Sequence, residues 1–229
     1  MVKKVVKWNW DRETSRLLLS KLMEKAKEAD KLSDGDYVID IGGNTGSFAR
    51  KNSGKKAICM DIMPKPKYHD VLYVKGDVRR MPFSEETFGL VLAKAVLHHV
   101  PKELESALGE IKRITMTGGY VVIEEPISKN PINNVAGKFF TTDIHDEDEQ
   151  PFDPETLIVT LKKYFENMEI EYHLFTTYLI PHVIARAPKF LRPALRNLTR
   201  LLYELDRSLI SKSKFLARRS SYITIVAKK

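Results

Sequence analysis

An α/β domain built on a mostly parallel sheet is the fold this sequence predicts, and three observations predict it. Short apolar runs alternate with helical segments from about residue 36 to residue 125, which is how strands covered on both faces read. A glycine-containing turn, Gly42-Gly43-Asn44-Thr45-Gly46, joins the first apolar run to a helix start. An aspartate, Asp61, ends the next run. In a doubly wound sheet the ligand site lies beyond the carboxyl ends of the strands, where that turn and that acid fall.

The elements follow in order. Residues 14–31 read as a helix, because Leu18, Leu22, Ala26 and Ala29 recur at spacings of four and three. Leu32-Ser33-Asp34-Gly35 stops it. Tyr37 to Ile41 is the first strand, and a second helix starts at Ser47. Lys56 to Asp61 is the second strand. Pro64 and Pro66 then forbid an immediate long helix, so the crossover to the third strand, Val71 to Val74, is reduced to a turn. Phe88 to Ala93 is the fourth strand. The helix over 102–114 has Pro101 in its first turn, where a missing N–H costs nothing. Gly118-Gly119 punctuates the chain before a fifth strand over 120–124. Beyond residue 126 a helix over 153–165 opens on Asp153-Pro154-Glu155. A strand over 168–175 alternates Met168, Ile170, Tyr172 and Leu174 with polar neighbours, and residues 220–227 form a last strand. More than forty residues separate those two strands, too many for a plain loop.

Composition excludes several classes. The 229 residues are 43% apolar and 30% charged, ordinary globular usage. A single cysteine, Cys59, rules out an intrachain disulfide and cysteine-rich zinc sites. None of the six histidines falls in an HExxH or His-x-His pattern, so no metal site is expected. No run of 18 uncharged apolar residues spans a membrane, and the N-terminal apolar run is too short for a signal peptide. The expected location is cytoplasmic, with peripheral membrane association as an added reading. The acidic run from Asp143 to Glu149, which contains His145, reads as a solvated loop or as a loop gating the site.

The loop and the acids define the ligand chemistry. Glycines allow a sharp turn and close approach of a ligand, and the following helix start presents free N–H groups. A carboxylate at Asp61 accepts paired ribose hydroxyls. Asp77, after the third strand, can accept the amine of an adenine, with Val78 beside the ring. The Gly-x-Gly-x-x-Gly spacing of nicotinamide enzymes and the Gly-Lys-Ser/Thr of a phosphate loop are both absent.

Taken together, Val38 to Gly46, Asp61, Gly76-Asp77-Val78 with Met81-Pro82-Phe83, Phe88 to Val100, and Glu110 through Gly118-Gly119 to Glu124 resemble class I S-adenosylmethionine-dependent methyltransferases. The likeness is to the small-molecule, ubiquinone/menaquinone-biosynthesis group, also called methyltransferase type 11. It implies a Rossmann-like seven-stranded sheet with the last strand antiparallel, helices on both faces and a helical insert before that strand. It implies S-adenosyl-L-methionine as cofactor. The loop Gly42, Gly43, Asn44, Thr45, Gly46 would pass under its methionine part, with Asp40 ordering the loop and helping to seat the amino group. Asp61, with Ile62, would hold the ribose side, Asp77 and Val78 would face the adenine, and Lys94 and Ala95 would pack near the methionine end. Two positions depart from the family pattern. Asn44 replaces a glycine, and asparagine tolerates positive φ. Gly89 stands where an aspartate is usual.

Methyl transfer from a sulfonium is an in-line displacement that asks the protein for alignment, exclusion of water and, for a hydroxyl acceptor, removal of a proton. His98 and His99, past the fourth strand, and Glu124, ending the fifth, are the candidate catalytic groups, and one of the adjacent pair Glu124 and Glu125 is expected to line the acceptor pocket. The histidines have a second reading, as residues that cap the following helix and shape the pocket. The Asn/Asp-Pro-Pro-Tyr/Phe segment common in enzymes that methylate planar nitrogens is absent.

Net charge is +8, and it is local. From Tyr178 to Lys229 there are twelve basic residues and two acids, whereas residues 1–177 carry a net of −2. Within that stretch Phe190, Leu191, Ala194, Leu195, Leu198, Leu201, Leu202, Leu205 and Leu209 mark one side of a helix, and continuous helix is expected only after Pro193. Three uses compete: a roof docked on the sheet, a basic amphipathic segment on an anionic membrane, and RNA or phosphate binding. The expected organisation is an N-terminal helical segment over 1–34, a Rossmann-like domain over 35–177 and 219–229, and a basic helical insert over 178–218. The function expected is methyl transfer to a small-molecule or lipid-like acceptor. An RNA or protein methyltransferase and a non-catalytic cofactor-binding scaffold are the alternatives.

Overall fold

A computed structural model describes residues 24–32, 35, 37–52, 56–132 and 150–229. The beginning of the first expected helix and the acidic run with His145 lie outside the described residues. The elements are α1 over residues 24–32, β1 (Tyr37–Ile41), α2 (Ser47–Asn52), β2 (Lys56–Asp61), β3 (Val71–Lys75), β4 (Phe88–Lys94), α3 (Leu104–Ile114) and β5 (Thr115–Pro126). They continue as α4 (Pro154–Leu161), β6 (Asn167–His173), α5 (Ile180–Arg186), α6 (Arg192–Lys212), α7 (Lys214–Ala217) and β7 (Tyr222–Lys228).

The seven strands form one sheet in the order β3-β2-β1-β4-β5-β7-β6. The first five are parallel, and β7 runs antiparallel to both β5 and β6. Alternation along the strands sorts the core into two layers. Ile39, Ile41, Val91, Ala93, Val121 and Ile123 pack with α3 and α4, through Leu108, Ile111 and Leu157 among others. Val38, Leu90, Leu92 and Val122 face the other way and pack with Ala26 and Ala29 of α1. The expected seven-stranded, doubly covered sheet is therefore present, and residues 62–70 between β2 and β3 contain no helix.

Two expectations change. β5 begins at Thr115, so Gly118-Gly119 lies inside the strand rather than ahead of it. The register of β4 on β5 slips between Phe88 and Leu90. A side chain at Gly119 would meet the Gly89 carbonyl at 3.0 Å, and one at Gly35 would meet the Gly89 backbone at 2.4 Å. The unusual Gly89 thus sits where backbones crowd at the amino ends of the strands, away from the site. Helix α6 begins at Arg192, with Pro193 accommodated in its first turn.

The sequence leaves open which face of α6 packs. Its buried residues are Thr199, Tyr203, Asp206 and Ile210, while Leu198, Leu201, Leu202, Leu205 and Leu209 are exposed. Asp206, 2% exposed, sets this orientation. Its carboxylate accepts hydrogen bonds from the backbone N–H groups of Phe175 (2.9 Å) and Thr176 (3.1 Å) and from the hydroxyls of Thr176 (3.0 Å) and Thr177 (2.8 Å). Turning the leucines inward would strip those donors of their acceptor.

Candidate active site

The strand order reverses between β1 and β4, so the crevice of the sheet opens at their carboxyl ends. The Gly42–Gly46 loop lies there. Gly42 (φ +71°) donates its N–H to the Met60 carbonyl at 2.8 Å, and a side chain on it would strike Val96 at 2.7 Å. Asn44 adopts φ +47°, the left-handed conformation its residue type tolerates. Gly46 (φ +69°) passes so close to Tyr73 that a Cβ would meet the phenol oxygen at 2.7 Å. That phenol ties the loop together. It donates to the Thr45 carbonyl (2.8 Å) and accepts from the N–H groups of Lys67 (3.0 Å) and Tyr68 (3.1 Å).

Asp40 lies beneath the loop, 2% exposed, and accepts the Ala49 N–H at 3.1 Å in the first turn of α2. Burial raises its pKa to about 7. Gly43 is the only residue type that fits above it, since a Cβ would come within 2.5 Å of the Asp40 carboxylate. Cys59 sits beside this carboxylate, and burial pushes its thiol up to about 12, so it packs rather than reacts. At the end of β2 the Asp61 carboxylate is aimed by two backbone amides, Asn44 to Oδ2 (3.0 Å) and Met63 to Oδ1 (2.8 Å). Ile62 and Met63 beside it are exposed.

After β3 the geometry is more guarded. Asp77 accepts the Arg79 backbone N–H at 2.9 Å and is clasped by the Arg79 guanidinium at 2.6 Å, which holds its pKa below the usual carboxylate range. The Val78 side chain is buried in the main core cluster.

The carboxyl ends of β4 and β5 carry the other predicted groups. Lys94 is ion-paired with Glu124. Ala95 (φ +48°) donates its N–H to the Glu124 carbonyl at 2.7 Å. The neighbouring Glu125, wholly buried, accepts the N–H groups of Val96 (3.0 Å) and Leu97 (2.7 Å) through Oε1, and its Oε2 lies 2.7 Å from His98 Nδ1. His98 is thereby fixed, and the exposed His99 stacks on it with ring centroids 4.2 Å apart. Glu124 is backed by a buried polar row. The Thr224 hydroxyl donates to its Oε2 at 3.3 Å, and the Thr224 oxygen lies 3.0 Å from His173 Nε2. With the hydroxyl proton given to Glu124, Nε2 must be the protonated nitrogen of His173. Its Nδ1, buried without a hydrogen-bond partner among the described residues, is then a lone pair rather than an orphaned N–H, and burial lowers the pKa of His173 to keep it neutral.

The structure thus gathers Asp40, the 42–46 loop, Asp61, Lys94, Ala95, His98, His99 and Glu124 along one edge of the sheet. Sequence reading missed Tyr73 and His173; Glu125, named with Glu124 as a possible pocket residue, is the group that fixes His98. Tyr73 carried only a weak sign, a polar-tipped residue within an apolar strand.

Residues 39–123 match the family described as "Methyltransferase domain", and the sheet has the class I order and polarity. Over these residues the chain is similar to methyltransferase domains, and its fold is the Rossmann-like sheet of solved methyltransferase structures. The chain is 28% identical over 120 residues to a demethylmenaquinone methyltransferase of Chlorobaculum parvum, across 47% of this chain and 49% of that protein. It is 31% identical over 109 residues to a sterol 24-C-methyltransferase of Eremothecium gossypii, across 41% and 29%. The chain therefore spans half or less of the length of these relatives. Among solved structures, the [4+2]-cyclase SpnF shares the fold at a TM-score of 0.60 and 17% identity, over 98% of this chain and 87% of that one.

Proposed function

We propose that this chain transfers a methyl group from S-adenosylmethionine to a small, lipid-like acceptor. Asp61 carries the reading. It is an acid at the carboxyl end of β2, aimed by two amides, with a lone pair left on each oxygen for the paired hydroxyls of a ribose. The residues around it fit the rest of the cofactor. Exposed Ile62 offers an apolar surface for the base. Asp77 would exchange Arg79 for the adenine amine, with Val78 behind. Gly42, Gly43, Asn44, Thr45 and Gly46 leave a backbone path for the methionine part. Asp40, Lys94 and Ala95 flank that path.

When bound, the cofactor supplies an activated methyl group. The chain then has to align the acceptor, exclude water and take a proton from a hydroxyl nucleophile. His98, fixed by Glu125, and His99, stacked on it, are the groups for that proton. Glu124 is committed to Lys94 and Thr224, so in this reading it holds Lys94 at the pocket wall.

The names of the relatives, demethylmenaquinone and sterol methyltransferases, support a lipid-like acceptor. Peripheral contact with an anionic membrane through residues 178–218, on the cytoplasmic side, goes with such a molecule. No helix among the described residues is long and apolar enough to cross a membrane.

Calorimetry tests the cofactor. S-adenosylhomocysteine should bind the wild type, and Asp61→Ala should weaken binding at least about tenfold, the loss of two charge-assisted hydrogen bonds. Absence of binding overturns the reading. Labelled methyl transfer to demethylquinones or a lipid extract tests the acceptor, and label confined to RNA or protein overturns that part.

A further inference from the structure

We infer that the outward leucine face of α6 is a docking surface for an anionic lipid bilayer. The inference deepens the lipid-like acceptor reading and rests on it. Leu198, Leu201, Leu202, Leu205 and Leu209 recur at spacings of three and four, which places them within an arc of about 100° on the helix. They are 37–60% exposed. The face that packs on the sheet, Thr199 to Ile210, lies to one side of this arc, so the leucines are not spent on the core. The 21-residue helix is about 31 Å long. Exposed aromatic side chains stand at both of its ends, Phe190 before it and Phe215 after it. A contiguous apolar stripe of this length on a folded surface marks an interaction site.

Charge selects the occupant. From Arg186 to Arg219 there are ten basic residues and two acids, Glu204 and the buried Asp206. A second copy of the chain would bring this excess of positive charge against itself, which like-charge repulsion disfavours. RNA would meet the arginines, but leucines offer no stacking for its bases. An anionic bilayer satisfies both features. The leucines sink below the headgroups while lysines and arginines stay at headgroup level.

The position of the helix gives the contact a use. Asp206 binds α6 to residues 175–177, just past the end of β6. Through β7, His173 is level with Pro126 at the carboxyl end of β5. The stripe therefore belongs to the edge that carries Glu124, Lys94 and His98, and a docked α6 keeps that edge near the bilayer from which an apolar acceptor would come.

The test uses the full chain and no methyl donor. Vesicles of phosphatidylcholine are compared with vesicles in which about one-third is phosphatidylglycerol. The chain should co-sediment at least about tenfold more strongly with the anionic vesicles, and Leu201→Asp with Leu205→Asp should remove that binding. Both leucines are exposed, so the variant should keep the thermal unfolding midpoint and S-adenosylhomocysteine affinity of the wild type. Equal binding to both vesicle types, or unchanged binding by the double variant, overturns the inference. So does a dimer that the double variant converts to monomer, or tighter binding to RNA than to the anionic vesicles. Failure on vesicles with lipid methylation intact in detergent removes the docking surface alone. Vesicle binding without lipid methylation removes the acceptor reading alone.

Discussion

The two ends of the sheet satisfy their polar groups in opposite ways. At the β1–β3 end the bonds are local and mostly to backbone. Asp61 holds Asn44, Tyr73 holds Thr45, Lys67 and Tyr68, and Asp40 holds Ala49. At the β6–β7 end the bonds join distant parts of the chain through buried side chains. Asn130 reaches the Leu174 and Phe175 carbonyls and Ser221, and Asp206 reaches residues 175–177. The first arrangement builds a rigid loop around a ligand of one shape. The second hangs a helical attachment on the sheet by a few buried polar pegs and leaves its apolar face outside. An attachment held this way can differ between relatives without disturbing the loop, which is where acceptor choice has to reside.

The largest effect that would break this division is loss of a peg. Asp206→Ala leaves two backbone amides and two threonine hydroxyls without their acceptor in a buried site. We expect a loss of about 3 kcal/mol in urea unfolding, with S-adenosylhomocysteine affinity within about twofold of wild type, since independent sites add. A large loss of cofactor affinity would show that the two ends are one unit.

The next effect lies at the opposite end and concerns pH. Asp40 has a pKa of about 7 in the folded chain, well above its ordinary value. The folded state therefore holds more protons than the unfolded state between about pH 4 and pH 7. Its contribution to stability falls as the pH rises through that window and is flat above it, by at most about 1.4 kcal/mol per pH unit. His173 acts in the reverse sense, because burial lowers its pKa, and stability is lost as the pH falls below its unfolded value. The difference between wild type and Asp40→Asn isolates the first slope, since the asparagine oxygen still accepts from Ala49. A difference curve that is flat from pH 5 to 8 would sink the assignment.

The same contrast explains what was legible in the sequence. The loop and Asp61 were readable from turn and strand-end chemistry, and Asp40 through the family resemblance, because their partners lie within about twenty residues. The orientation of α6 was not. Periodicity finds an apolar stripe and ordinarily assigns it to the core, but the inward face is chosen by Asp206 and its partners near residue 176, which no spacing within the helix reveals. The pair Glu124-Glu125 carries a similar lesson. Neighbours on a strand point to opposite faces, so one meets Lys94 and the other His98. Composition alone could not say which glutamate held the histidine.

The smallest expected effect tests whether Asp77 belongs to the rigid end as a ligand group or only as a turn residue. Its carboxylate is held by Arg79, which in turn lies 3.6 Å from Glu103. If adenine takes the Asp77 acceptor, binding must first displace a solvent-exposed ion pair, which is a weak interaction. Arg79→Gln removes that competitor and should tighten S-adenosylhomocysteine by no more than about fivefold. The gain should vanish with S-inosylhomocysteine, whose base lacks the amine that Asp77 would accept. An equal gain for both ligands would trace the effect to charge in the pocket, and no gain for either would leave Asp77 to the turn it already orders through the Arg79 amide.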